Sequence, residues 1–140
     1  MRLEIELLAD PIGPAGDTVY LPFRIVRGAF TGFGAQKLVL GGNDFAAMRA
    51  DELLCHSGRF LVDDPAGDIV FTYEGTSDAP EGTYERILDG RMPGSMRSTL
   101  VVRATSHNGQ WRPHQRRPLI GLGNLDARRG LLDFTLVSLP

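Results

Sequence analysis

A chain of 140 residues with a formal net charge of −2 has no global field to recruit nucleic acid or an anionic membrane surface. At that length a single domain, 1–140, buries enough surface to fold without staples. The lone cysteine, Cys55, excludes an intramolecular disulfide and a thiolate zinc cluster, and no stretch approaches the roughly 18 apolar residues of a membrane-spanning helix.

The first predicted element is a strand, because Leu3, Ile5 and Leu7 point one way while Arg2, Glu4 and Glu6 point the other. The same mixture of charge and apolar residues lacks the continuous core of a signal peptide, which makes a cytoplasmic protein the expectation. Further strands are predicted at Val19–Val26, Lys37–Leu40, Gly58–Val62, Ile69–Glu74, Thr99–Ala104, Pro118–Gly123 and Leu131–Ser138. The segments Asp63–Asp68, Ser106–Gly109 and Asp126–Gly130 have turn chemistry. Pro80–Gly90 reads as one short helix, with Thr83 as its cap and a glycine at its end. The stretch "NDFAAMRADELL" after Gly42 is ambiguous: Phe45, Met48 and Glu52-Leu53 keep helical spacing, and turn plus strand competes. Short strands between frequent turns, with 17 glycines and 9 prolines, indicate a sandwich or barrel rather than a parallel sheet with crossover helices.

The candidate chemistry is sparse. Gly41-Gly42-Asn43-Asp44-Phe45 reads as a sharp bend that can present Asp44 at a rim. A desolvated Asp44 would move protons; the plainer alternative is an Asp that fixes its own turn. Arg59 pointing inward would be a fixed cation for a carboxylate, phenolate or enolate, although its neighbours Phe60 and Val62 favour an outward Arg59 by alternation. Tyr73 is either a pocket hydroxyl or packing. His56, His107 and His114 show no metal-ligand spacing, no Gly-x-Ser-x-Gly elbow marks a nucleophilic serine, and Cys55 reads as packing. "NGQWRPHQRRP" at Asn108–Pro118 allows three readings. It is a rim loop with Trp111 over a cavity and Arg112 meeting an anionic ligand, an oligomer contact, or a site for single-stranded nucleic acid, which the net charge disfavours.

In series, several pieces resemble the family called domain of unknown function 3237: "VRGAFTGFG" at residues 26–34, Gly41-Gly42-x-Asp44-Phe45, Arg49-x-Asp51, Arg59-Phe60 followed by Asp63-Asp64 and Gly67, and "DIVFTYEG". Ser57 and "STLVVRATSHNG" depart from that family's pattern. The resemblance implies a closed antiparallel β-barrel that forms a homo-oligomer, and it implies no settled activity. With the residue reading it gives an all-β barrel of about eight to ten strands and one short helix, enclosing space for a small organic molecule. The expected function is small-molecule binding, extending to a cofactor-independent isomerase, cyclase or dehydratase that works by proton transfer. Asp44, Arg59 and Tyr73 would be its catalytic groups, and Asn43, Arg49, Trp111 and Arg112 its substrate contacts. No metal, cofactor, nucleic acid or membrane partner is expected. The alternative is a non-catalytic ligand-binding or structural oligomeric barrel.

Overall fold

The alternation at the N-terminus builds strand β1 (Arg2–Leu7), with Leu3 and Ile5 buried. The computed structural model describes residues 1–32, 35–107 and 109–138. The last two residues of "VRGAFTGFG" and one residue of the predicted Ser106–Gly109 turn lie outside them. After β1 come β2 (Ile12–Ala15), two long strands β3 (Thr18–Gly32) and β4 (Ala35–Arg49), then β5 (Leu53–Val62), β6 (Ile69–Asp78), β7 (Ser95–Ser106), β8 (Leu119–Asp126) and β9 (Leu131–Ser138). From β3 to β9 each strand pairs antiparallel with the next, and β1 pairs with both β9 and β3. Eight strands thereby close into a barrel, and β2 is an extra strand on β3. The closed antiparallel barrel expected from the sequence is the observed fold.

Three local outcomes refine that expectation. The ambiguous stretch is strand, turn and strand: β4 runs to Arg49, Glu52 takes a left-handed φ of 64°, and β5 starts at Leu53. Asp44, Ala46 and Met48 are buried while Asn43 and Phe45 are exposed, so period two outweighs the helical spacing once β3 and β5 pair on both sides. The Gly41-Gly42 bend is a bulge within β4 rather than a turn between elements. Val39 faces Val62 and Gly41 faces Leu61, leaving Leu40 as the extra residue, and Gly41 has φ 142°. A Cβ on Gly42 would sit 2.0 Å from the Arg59 carbonyl oxygen. Glycine here lets neighbouring backbones approach closely where the strand coils around the barrel. Finally, α1 (Thr83–Leu88) occupies the predicted short helix, and a 3-10 turn at Gly109–Trp111 leads into a second, α2 (Arg112–Gln115), with Pro113 in its first turn.

The two helical segments cover opposite ends. At one end Trp111 is buried against Phe30 and Phe71, with ring centroids 5.6 and 5.2 Å away, and Phe71 stacks on Phe60 at 5.0 Å. The Lys37–Asp64 ion pair, 2.5 Å, braces the same end. At the other end, Tyr84 and Ile87 of α1 join the core. There the Glu52 carboxylate accepts the Gly82 and Tyr84 amides at 2.6 and 3.0 Å. Among the described residues no helix is long and apolar enough to cross a membrane.

Candidate functional site

The inward face of β4, β5 and β6 carries the buried polar groups, and the pairing register explains how they meet. Asp44, Gly58 and Tyr73 lie opposite one another on three adjacent strands. Tyr73 leans across the glycine: a Cβ on Gly58 would lie 2.3 Å from the Tyr73 Cζ and Oη atoms. With no side chain in the way, the Tyr73 hydroxyl spans a whole strand and donates to Asp44 Oδ2. Two residues before Gly58, on the same face of β5, His56 places Nδ1 3.3 Å from the same carboxylate oxygen. Its Nε2 is 3.3 Å from Ser77 Oγ on β6, and Ser77 Oγ is 2.6 Å from Ser98 Oγ on β7.

Five side chains thus form one chain of polar contacts, and each is at least 96% withdrawn from solvent. With a neutral imidazole, Nδ1–H donates to the Asp44 carboxylate, Nε2 is then left to accept from Ser77, and Ser98 in turn donates to Ser77. One atom is left over. Asp44 Oδ1 is buried, and no hydrogen-bond partner reaches it among the described residues. A buried acceptor without a partner costs about 1–3 kcal/mol, more when charged.

Burial, first, and then the Asp44 charge and hydrogen bond hold the Tyr73 phenol well above its ordinary value of 10.0. Tyr73 is therefore a fixed donor, not a base. The unfolded chain releases this proton near 10.0 while the folded chain keeps it, so the contribution is complete below that pH and is lost as pH rises toward the folded value. Tyr73→Phe is expected to cost about 1.5–3 kcal/mol at neutral pH. Urea melts across the alkaline range should show the gap between wild type and variant closing above about pH 10; a gap independent of pH would contradict the assigned bond.

The other residues singled out in the sequence lie elsewhere. Arg59 is on the outer face, opposite Asn43 and Thr72, because Gly58 and Phe60 take the inward positions. With Asn43, Phe45, Glu74 and Arg103 it lines an open depression of about 580 Å³. It is not the interior cation expected of an anion stabiliser. Arg49 is exposed and pairs with Asp51 at 2.6 Å. Trp111 is a buried plug rather than the wall of an open rim, and Arg112 is exposed on α2. Asp44 and Tyr73 converge; Asn43, Arg49, Arg59, Trp111 and Arg112 stay outside the polar chain. Sequence reading missed His56, Ser77 and Ser98. The signal was present: the alternation that puts Phe60 and Val62 inside also puts His56 inside, and the register that buries Phe71 and Tyr73 buries Ser77. Among the described residues no three His, Cys, Asp or Glu side chains gather as metal ligands.

Fold and site together define a closed eight-stranded antiparallel barrel with a carboxylate–imidazole–hydroxyl chain in its interior. The chain belongs to the family described as protein of unknown function DUF3237, whose profile matches residues 1–137. Solved structures share the fold. A conserved protein of unknown function from Rhodopseudomonas palustris superposes with a TM-score of 0.78 at 18% identity, over 99% of this chain and 92% of that one. A protein of unknown function from Clostridium acetobutylicum gives 0.78 at 16%, over 98% and 94%. A β-barrel-like protein from Acinetobacter baumannii gives 0.69 at 15%, over 99% and 92%. No curated protein matches the chain.

Proposed function

We propose that this chain is a cytoplasmic small-molecule-binding barrel that performs cofactor-independent proton transfer, the chemistry of an isomerase, cyclase or dehydratase. The observation that carries the reading is the asymmetry of Asp44. Oδ2 takes two donors, Tyr73 and His56, whereas Oδ1 is buried and takes none among the described residues. A guest hydroxyl or N–H would supply the missing donor, and the carboxylate would accept its proton with the His56 imidazole as the neighbouring relay. Tyr73 stays protonated and holds Asp44 in place. The guest is neutral, because the buried polar set contains Asp44 and Asp64 but no arginine or lysine, so an anionic group would find no counter-charge. A free, half-buried Cys55 fits a reducing compartment. The homo-oligomer expected from the family resemblance is carried as part of this proposal, with light scattering as its check.

The test is a panel of small neutral hydroxylated and aromatic metabolites titrated by NMR. Asp44→Asn is expected to weaken any bound member about tenfold or more, the worth of a hydrogen bond to a charged acceptor. Unchanged affinity would remove Asp44 from the site. A non-catalytic barrel is the second reading. It is favoured by the aromatic packing of Phe60, Phe71 and Trp111 and by helical segments over both ends. Binding that depends on Asp44 with no turnover of any bound compound would select it.

A further inference from the structure

We propose that Ser77 is a nucleophile, primed by His56 and Asp44, that takes the acyl group of a small neutral ester or lactone. The inference rests on the preceding reading in that a guest must reach Asp44 and His56; it goes beyond that reading in naming the bond that forms. The order of atoms carries it. Asp44 Oδ2 faces His56 Nδ1, and the opposite ring nitrogen, Nε2, faces Ser77 Oγ, both at 3.3 Å. A carboxylate on one nitrogen fixes the tautomer, and the other nitrogen then accepts a serine proton as the hydroxyl attacks.

A purely structural role does not call for this arrangement. The same inward layer accepts apolar side chains without difficulty, since Met48, Leu54 and Leu100 are each buried beside it. Placing a carboxylate, an imidazole and two hydroxyls among them has a desolvation cost that apolar residues of similar size would avoid. The cost is borne in one contiguous chain, ordered as nucleophile activation requires.

Ser98 adds a second function. Its Oγ, 2.6 Å from Ser77 Oγ, donates to Ser77 at rest and is placed to donate to the carbonyl oxygen of a guest attacked there. The surroundings of the polar chain would select the guest. Tyr73 is flanked by Phe60 at 6.1 Å and Phe134 at 6.5 Å, and the Asp44 charge disfavours a free carboxylate. An apolar, uncharged acyl compound fits both conditions.

The step balances without an external oxidant or reductant. Ser77 Oγ bonds to the carbonyl carbon as its proton passes to His56 Nε2, and the carbonyl π pair moves onto oxygen, where Ser98 donates to it. Collapse re-forms the carbonyl and breaks the ester C–O bond, and the leaving alkoxide takes the proton from His56. Water then attacks the acyl-serine with His56 as base, releasing the acid and restoring Ser77. Entry would be at the α1 end, which follows Ser77 and the end of β6 in the chain and where the Glu52 carboxylate ties down the Gly82 and Tyr84 amides.

The experiment uses a small alkyl fluorophosphonate on the folded chain, in which Ser77 Oγ bonds to phosphorus and fluoride leaves. Mass spectrometry of the digest is expected to place one adduct on the Ser77 peptide. Ser77→Ala should abolish it, His56→Gln should slow it roughly a hundredfold or more, and Glu52→Ala should speed it by freeing α1. Circular dichroism of each variant checks that the barrel is intact. No adduct on Ser77 in either the wild type or Glu52→Ala overturns the proposal, as does a rate unchanged in His56→Gln. If the adduct is missing while Asp44→Asn still weakens guest binding, the nucleophile fails and the proton-transfer reading stands; loss of both results removes both.

Discussion

Gly58→Ala is expected to lower the unfolding free energy by about 3–5 kcal/mol, combining overpacking with the loss of a hydrogen bond to a charged acceptor. The three atoms nearest to a Cβ at this position all belong to the Tyr73 side chain, at 2.3 to 2.6 Å. The added methyl therefore meets one ring and not the backbone. To admit it, Tyr73 must swing away from β5, and its hydroxyl then leaves Asp44 Oδ2. The cost is thus coupled to Tyr73, which a double-mutant cycle reads directly. In a Tyr73→Ala background the same glycine substitution should cost less than about 1 kcal/mol, because the obstructing ring is gone. Urea melts of the four proteins provide the numbers. An equal cost in both backgrounds would mean that Gly58 matters for backbone reasons, and the account of how Tyr73 reaches across β5 would fall.

Which parts of this arrangement the sequence discloses depends on whether local pattern or barrel closure decides them. Period-two alternation located the wall: the predicted segments at Val19–Val26, Ile69–Glu74 and Thr99–Ala104 all lie within observed strands. Their lengths were underestimated for a physical reason. Gly28, Gly41 and Gly42 read as breaks in a linear sequence, yet in a small closed barrel they are places where a continuous strand coils and neighbouring backbones come close. For the same reason the Gly41-Gly42 pair reads as a turn in the linear sequence. The interior polar chain was half legible. Asp44 and Tyr73 stand out by residue type, and the inward Phe60 and Val62 turn Arg59 outward by alternation. His56 and Ser77 carry no motif, because the register between β4, β5 and β6 brings them together across 12 and 21 residues of sequence. Carrying the parity of Phe60 and of Tyr73 four residues further along each strand, in the direction of the α1 end, places both inside. The sequence does not place Trp111, because the loop-like composition around it does not show that residues 109–115 fold back over the barrel mouth.

Trp111→Ala should prove among the most damaging single substitutions, at about 3–5 kcal/mol, although the residue sits in a connection between strands. The indole is 2% exposed and contacts Phe30, Phe71 and His114 with ring centroids 5.2 to 5.6 Å away. Removing it leaves Phe30 and Phe71 facing a cavity that neither α2 nor the rigid ends of β3 and β6 can collapse to fill. The effect on chemistry should be small by comparison, since the Asp44–His56–Ser77 chain lies toward the opposite, α1-covered end. A rim tryptophan poised over a ligand would behave in the reverse way, with little change in stability and a large change in guest binding. Thermal melts and NMR titrations of the same variant separate the two cases. Added indole should restore part of the lost stability by occupying the vacated space, as a plug requires and a rim contact would not. Wild-type stability in Trp111→Ala would show that this end of the barrel is sealed by something other than the indole.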